Sequence, residues 1–310
     1  MKRFLSVIFT LLLTVALYSR VVRGRGQDRL FVGSMALAAL TRPEGFFLFV
    51  VLTLVELVRT RDMRRFLAIG AAFTSLTAPY LAWKLLYYGS LLPNTYYAKE
   101  GSLLGGALYV WSFLSGAGFT RYLGLPLVLL VIGLARRHPG RFWLSSFLAA
   151  EVAAVVLSGG DWMVGWRFLV PALPVVCILL ANGVAVAHGF LEPRWPRAAG
   201  VAVLVASLSL FHALGRPSLA IAAACHERGE GQTTGHLEVA RWLGRHGGAG
   251  DSVALTDIGM VGYFSRLRVI DISGLTDVFI GRSPGPILRK VYDTDYVLEQ
   301  DPEFVVMVCS

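Results

Sequence analysis

The stretch from Ser158 to Arg167 reads S-G-G-D-W-M-V-G-W-R and sets one carboxylate and one guanidinium between two long apolar runs. Charged side chains at the end of apolar helices are costly to leave without partners, so such a pair is a candidate binding site. Arg167 suits an anion, and the tryptophans suit the apolar face of a ring. The same residues also fit an interfacial loop with an aromatic belt.

Two other polar stretches interrupt the apolar sequence. T-R-P-E-G carries an arginine and a glutamate, and L-P-N-T-Y-Y-A-K carries an asparagine, two tyrosines and a lysine. Basic side chains suit a phosphate, whereas tyrosines suit either a sugar or the edge of a membrane. The candidate substrate-binding residues are Arg42, Glu44, Asn94, Tyr96, Tyr97, Lys99, Asp161, Trp162 and Arg167. Asp161 is also the candidate catalytic carboxylate.

The composition predicts a polytopic membrane protein. The 310 residues are 55% hydrophobic and 16% charged, with a mean hydropathy of +0.61, which is too apolar for a soluble domain. The net charge of +9 comes from short basic clusters between apolar runs, as in cytoplasmic loops, so we expect no nucleic-acid partner. The three cysteines are far apart and predict neither a disulfide framework nor a metal site.

The run from Leu30 to Val58 predicts a re-entrant-like hairpin. Basic clusters lie before and after this run, so both of its ends are expected on the cytoplasmic side. Pro43 disfavours helix at the residue before it and divides the run. We therefore predict helices from Leu30 to Leu40 and from Gly45 to Val58, with the charged pair of T-R-P-E-G at the tip of the hairpin.

The other apolar runs predict further helices that alternate across the membrane. The basic clusters all fall on one side of this arrangement and the three polar stretches on the other. Glu151 lies inside one of these helices and needs a partner or a cavity. The runs are Phe4 to Tyr18, Phe66 to Tyr88, Gly106 to Leu114, Leu123 to Ala135, Phe142 to Leu157, Phe168 to Ala187 and Ala198 to Leu214.

After residue 214 the composition becomes that of a soluble domain. Residues 1–214 are therefore predicted to form an α-helical polytopic membrane domain, and residues 215–310 a small external α/β domain. Four residues near the predicted strands could bind an acceptor or could be caps and turns: Asp257, Tyr263, Asp271 and Asp277. The predicted elements are helices Thr233 to His246 and Ile258 to Phe264, and strands Ser252 to Thr256, Leu267 to Ile272 and Phe304 to Cys309.

From the residues alone, an external membrane cavity with these side chains fits two functions. It could bind an anionic lipid headgroup, with basic groups on a phosphate and aromatic rings on a sugar. It could also transport an anionic solute, with the hairpin as a gate. Transport folds commonly repeat their broken helices, and only one hairpin is predicted here, so binding is favoured.

Four stretches, in this order, resemble bacterial integral-membrane glycosyltransferases of the GT-C class, in the branch of the mycobacterial terminal arabinofuranosyltransferases. They are A-L-A-A-L-T-R-P-E-G, L-L-P-N-T-Y-Y-A-K, G-G-D-W-M-V-G-W-R-F-L-V-P-A-L-P and V-A-L-T-D-I-G-M-V-G-Y-F-S-R-L-R-V-I-D-I-S-G-L-T-D. The resemblance covers residues 30 to 310 and implies a multi-pass protein of the bacterial cytoplasmic (inner) membrane.

The resemblance also implies a reaction. A polyprenyl-phosphate donor gives its sugar to a glycan or glycolipid acceptor on the outer face of the bilayer, with a carboxylate as general base. Basic residues or a divalent cation stabilise the phosphate. Arg42 and Glu44 would then shape the lipid-phosphate end, Asn94, Tyr96, Tyr97 and Lys99 would line the cavity, and Asp161 with Arg167 would contact donor or acceptor.

The chain departs from that family in one respect. The family's catalytic aspartate usually lies in a first external loop, and only three residues precede the first apolar run here. The expectation is a chain truncated at both ends, in which Asp161 substitutes as the base or serves only as a cavity ligand. A non-catalytic remnant that binds a lipid-linked sugar is the alternative.

Overall fold

The chain forms two compact units. The computed structural model describes residues 2–22, 26–99, 101–116, 125–135, 140–161, 165–193, 196–287 and 289–307. The first unit comprises residues 1–89 and 101–220, and the second comprises residues 90–100 and 221–310. The sequence placed the division after residue 214, whereas the structure places it after residue 220 and adds residues 90–100 to the second unit.

Helices make up 73% of the structure, and most of the described residues in the predicted apolar runs are helical. The run predicted from Phe168 starts with a turn, and its α-helix begins only at Leu173. In chain order they are α1 (Lys2–Val21), α2 (Gln27–Thr41), α3 (Glu44–Thr60), α4 (Met63–Tyr88), α5 (Asn94–Ala98), α6 (Leu103–Gly116), α7 (Leu125–Ala135), α8 (Arg141–Leu157), α9 (Leu173–Leu191) and α10 (Pro196–Gly231). All except α5 and the end of α10 belong to the first unit. Apolar side chains of α1–α4 and α6–α9 share one core, which includes Phe31, Leu48, Trp143, Phe147 and Leu179.

The two helices predicted for the hairpin are present as α2 and α3, and their re-entrant placement in a membrane stays a prediction. Arg42 adopts an extended conformation (φ −147°, ψ 135°), as expected for a residue before proline, and α3 starts two residues later. Gly45 permits the close approach of the two helices, because a Cβ at this position would lie 2.6 Å from Cα of Ala39. The local sequence therefore determines both the break and the tight turn.

A network of charges joins the other end of the hairpin to its neighbours. The Arg65 guanidinium donates from Nε and Nη2 to the Asp28 carboxylate, at 2.9 and 2.7 Å, and from Nη1 to Glu56 at 2.6 Å. Arg20 donates to Asp28 at 2.7 Å, and its guanidinium lies 3.7 Å from the centroid of the Phe31 ring. The network therefore connects α1, α2, α3 and α4.

Two helical segments of the described residues are long and apolar enough to cross a membrane, Met63–Tyr88 and Val170–Phe190. The second includes the 3₁₀ turn that precedes α9. Leu5–Val21 and Leu103–Gly116 are apolar but shorter. Only 17% of the apolar stretch of Met63–Tyr88 is buried, whereas the core helix of a soluble domain is mostly buried. The number of spans and their orientation stay predictions.

The second unit contains a three-stranded parallel sheet of order β2-β1-β3, formed by β1 (Ser252–Leu255), β2 (Arg268–Asp271) and β3 (Phe304–Val306). Its helices are α11 (Leu237–His246), α12 (Met260–Ser265), α13 (Val278–Arg282) and α14 (Asp295–Leu298). Every residue of β1 is buried because helices cover both faces of the sheet. Val253 and Leu255 pack with residues of α11 and α12, and Ala254 packs with residues of α13 and α14.

The last membrane helix predicted from the sequence is shorter than the helix observed. It was predicted to end at Leu214, but α10 continues to Gly231 and leads through a π-helical turn (Gln232–His236) into α11. The alanines between residues 220 and 224 favour helix. The change in composition therefore marks no break in the backbone.

Candidate functional site

The charged pair of the hairpin tip is held between aromatic rings. Arg42 Nη2 donates to Glu44 Oε1 at 2.7 Å. The Arg42 guanidinium also lies 5.1 Å from the centroids of the Phe9 and Phe168 rings, within the range of a cation–π contact. Arg42 is therefore held in one orientation by a carboxylate and two rings.

The second charged pair, Asp161 and Arg167, lies beside one of these rings, that of Phe168. Arg167 Nη2 donates to Asp161 Oδ1 at 3.1 Å, and Nε contacts Oδ2. The Asp161 side chain is completely buried, whereas that of Arg167 is 31% exposed. The Arg167 guanidinium lies 5.4 Å from the Phe168 centroid. The structure thus brings Arg42, Glu44, Asp161 and Arg167 together around Phe168.

Glycines and one tyrosine position this segment. Gly159 and Gly160 both have φ of +77°, which side chains disfavour, and a Cβ on Gly160 would lie 2.7 Å from Cβ of Tyr109. The Phe168 N–H donates to the Tyr109 hydroxyl at 3.3 Å, and this hydroxyl donates to the Gly165 carbonyl at 3.5 Å. The backbone conformation is therefore coupled to the placement of the Phe168 ring.

A small cavity lies beneath this cluster. It is bordered by Phe9, Arg42, Glu44, Glu151 and Phe168, among others, and its volume of about 10 Å³ is near the lower limit for one water. Glu151 is 3% exposed, and within the described part of the chain its Oε2 has no hydrogen-bond partner. A ligand larger than water therefore has to separate these side chains.

The sequence analysis did not identify Phe9, Tyr109 or Phe168 as site residues, because an aromatic residue in an apolar run gives no signal of its own. Glu151 did give a signal, as a lone carboxylate within an apolar helix. Trp162, which was predicted to bind substrate, lies outside the described residues. Trp166 is described, and its Nε1 donates to Ser112 Oγ at 3.0 Å.

The other predicted substrate-binding residues belong to the second unit. Asn94 Nδ2 donates to the carbonyls of Gly274 and Asp277, at 2.9 and 2.8 Å, so its amide docks α5 against α13. Tyr96 and Tyr97 pack edge to face and are 54% and 37% exposed. Substrate binding by Asn94, Tyr96, Tyr97 and Lys99 stays a prediction.

An open cavity of about 600 Å³ lies beside α13 and α14, lined by Val278, Phe279, Arg282, Ser283 and Tyr296. The Arg282 guanidinium is 5.0 Å from the Tyr97 centroid. The sequence analysis did not identify this cavity, because its residues come from short segments without a chemical motif.

Two of the four carboxylate and tyrosine candidates in the α/β domain form turns and caps. Asp271, which is 3% exposed, accepts from the N–H groups of Ser273 and Thr276 at 2.9 and 2.6 Å. Asp277 caps α13 through Ile280 N and accepts from the Tyr296 hydroxyl, a bond that raises the pKa of Tyr296. Of the other two, Tyr263 is 77% exposed, and Asp257 contacts a histidine.

The described residues do not assemble a group of three or more His, Cys, Asp or Glu side chains that could hold a metal ion. The divalent cation considered from the sequence therefore has no such donor set among the described residues.

Comparisons with known proteins indicate a distant relationship. A family model described as a domain of unknown function (DUF8728) matches residues 222–309. This range is nearly the whole of the second unit apart from residues 90–100. The chain is also similar to the terminal beta-(1->2)-arabinofuranosyltransferase of Mycobacterium tuberculosis, with 30% identity over 203 residues. The match covers 54% of this chain and 31% of that protein, so the chain spans about a third of its relative. No solved structure matches the chain.

Proposed function

We propose that the chain transfers a sugar from a polyprenyl-phosphate donor to a cell-envelope glycan or glycolipid on the outer face of the cytoplasmic membrane. The observation that carries this proposal is the cluster of Arg42 and Arg167 around Phe168, at 5.1 and 5.4 Å from its centroid. The distant relationship to an arabinofuranosyltransferase supports a sugar as the transferred group.

The cluster suits a lipid phosphate. Guanidinium groups bind phosphate oxygens with paired N–H donors, and such hydrogen bonds are among the strongest in proteins. Each guanidinium in the cluster already binds a carboxylate, Glu44 for Arg42 and Asp161 for Arg167. A phosphate that enters the cluster would therefore exchange with these carboxylates and release at least one of them.

That exchange supplies the general base. A released carboxylate takes the proton of the acceptor hydroxyl, whose oxygen forms a bond with the anomeric carbon. The bond from this carbon to the phosphate oxygen breaks, and the leaving polyprenyl phosphate keeps the electron pair beside the guanidinium groups. Glu44, whose side chain is 30% exposed, and Asp161, whose side chain is buried, are the candidate bases.

A membrane location suits a lipid-linked donor. The segment Met63–Tyr88 combines span length with an exposed apolar surface, including Leu67, Leu76 and Leu86 at 60%, 53% and 88%. Exposed leucines on several sides of a long apolar helix favour contact with lipid chains. We infer a multi-pass arrangement in which the cluster and the second unit lie on the external side.

The non-catalytic alternative has one observation in its favour. The Asp161 carboxylate is completely buried against Arg167, which suits a binding role better than proton transfer. In that case the chain would hold a lipid-linked sugar without transferring it.

Membranes from a complemented deletion strain test the proposal, with synthetic polyprenyl-phosphate arabinose as donor and envelope glycan composition as a second readout. We expect Arg42→Gln and Arg167→Gln each to reduce transfer by about tenfold or more, or about 1.4 kcal/mol of transition-state stabilisation. Arg29→Gln is the matched control, since Arg29 is exposed and outside the cluster. Donor binding without any transfer would establish the non-catalytic alternative. Equal transfer by all three variants would refute the assignment of the site.

A further inference from the structure

A third cavity lies at the carboxyl edge of the sheet. Its volume is about 280 Å³, and its walls include Thr256 and Asp257 after β1, Met307 after β3, and His236 and Val239 before and within α11. Drug-sized ligands occupy pockets of roughly 300–1,000 Å³, so this one is the size of a single ring with its substituents.

The topology of the sheet favours a ligand at this place. β1 is central, and the chain moves from it first to β2 on one side and later to β3 on the other. In open parallel sheets, ligands bind outside the carboxyl ends of the strands where the strand order reverses. The cavity lies at that edge, between the ends of β1 and β3.

The backbone at the cavity is irregular. The π-helical turn Gln232–His236 separates α10 from α11, and such turns occur frequently at functional sites. His236 ends this turn, and its Nε2 lies 3.1 Å from Asp257 Oδ2. The Asp257 side chain remains 53% exposed, so its other lone pairs can accept hydrogen bonds from a ligand.

The lining indicates the chemistry of that ligand. Val239, Val261 and Val306 form apolar walls, while Asp257, His236 and Thr256 provide polar groups. None of the described residues that line the cavity is a lysine or an arginine, which disfavours a phosphate. A sugar ring has both features required, an apolar C–H face and neighbouring hydroxyl groups that donate to a carboxylate.

We propose that this cavity binds one neutral sugar ring, with the Asp257 carboxylate accepting hydrogen bonds from two adjacent hydroxyl groups and His236 fixing the orientation of the carboxylate. Binding here requires no transfer reaction. The further statement that the ring belongs to the acceptor glycan rests on the proposed function.

Calorimetric titration of the purified full chain in detergent tests the proposal, with methyl α-D-arabinofuranoside and methyl α-D-mannopyranoside as probes. We expect saturable binding of at least one glycoside, weakened about tenfold or more by Asp257→Ala because the carboxylate is lost. Glu299→Ala is the matched control, an exposed carboxylate outside the cavity, and should bind as the wild type does. Tetrahydrofurfuryl alcohol, a five-membered ring without adjacent hydroxyls, should not bind.

Three results would overturn the proposal: no saturation by either glycoside, equal affinity in Asp257→Ala, or equal binding of the alcohol. Amide hydrogen exchange of β1 tests whether Asp257→Ala is folded, so that a loss of binding is not mistaken for unfolding. Arg42→Gln separates this inference from the proposed function, because that variant should keep sugar binding while its transfer falls by about tenfold or more.

Discussion

At the scale of single residues, Phe168 connects two charged pairs that are far apart in the sequence. Arg42 and Arg167 both lie within cation–π range of its ring, and each also binds a carboxylate. The ring excludes water from one side of each guanidinium, which strengthens the remaining electrostatic interactions. The cluster therefore holds two positive groups in place without a ligand.

The Asp271 carboxylate gives a prediction at this scale. It is 3% exposed and accepts three hydrogen bonds, from Ser273 N and from the N–H and hydroxyl of Thr276. We expect Asp271→Ala to lower the free energy of unfolding of the second unit by about 2–3 kcal/mol, because the N–H groups of Ser273, which is buried, and Thr276 lose their acceptor. Faster amide exchange over residues 268–277 measures the effect. Glu299→Ala, at an exposed position, should leave exchange unchanged.

At the scale of elements, the hairpin of α2 and α3 is fixed at both ends. Its tip carries the Arg42–Glu44 pair, and its base is joined to α1 and α4 through Asp28. The guanidinium of Arg65, which donates two hydrogen bonds to Asp28, holds the pKa of that carboxyl below its usual value. The placement of the site therefore depends on charges at the opposite end of the same helices.

This network predicts a dependence on pH. Because the pKa of Asp28 is lower in the folded than in the unfolded chain, its contribution to stability is present above about pH 4 and is lost as the pH falls through the folded pKa. We expect Asp28→Asn to be about 1 kcal/mol less stable than the wild type at pH 7, a modest value because the carboxylate is 42% exposed. Thermal unfolding in detergent between pH 7 and pH 3 should show the difference closing below about pH 4.

Glu192→Gln is the control for that experiment, since the Glu192 side chain is 61% exposed at the end of α9. Its unfolding should follow the wild-type profile. A difference between Asp28→Asn and the wild type that is constant down to pH 3 would contradict the prediction, because it would show that ionisation of Asp28 does not contribute.

At the scale of the whole molecule, the chain passes between its two units more than once. Residues 90–100 leave the first unit after α4 and return to it before α6, and α10 crosses between the units after Ala220. Residues 90–100 contribute α5 to the second unit, where Asn94 binds the backbone of the loop before α13. The second unit is therefore completed by a segment that is distant in sequence.

That completion can be tested at Asn94. We expect Asn94→Ala to increase amide exchange over residues 274–282 and to destabilise the second unit by about 1–3 kcal/mol, because the carbonyls of Gly274 and Asp277 lose their donor. Thr95→Ala, at an exposed position in the same short helix, should have little effect. Equal exchange in the two variants would mean that α5 is not docked through Asn94.

The sequence by itself determined the features that depend on nearby residues. Apolar runs predicted the helices, Pro43 predicted the break of the hairpin, and short apolar stretches between residues 252 and 309 predicted the three strands, because burial and backbone conformation depend on local composition. The resemblance of four stretches also pointed to the relative that was found.

Only the tertiary structure decided which chemical groups meet. The sequence grouped Asn94 with the membrane site, but its amide hydrogens bind backbone carbonyls 180 and 183 residues away. From the sequence, Asp257 and Asp271 were equal candidates for binding an acceptor. In the structure, the Asp271 carboxylate accepts from backbone N–H groups, whereas Asp257 lines a cavity beside His236. Side-chain partners depend on packing between distant segments, and residue type and spacing along the chain do not carry that information.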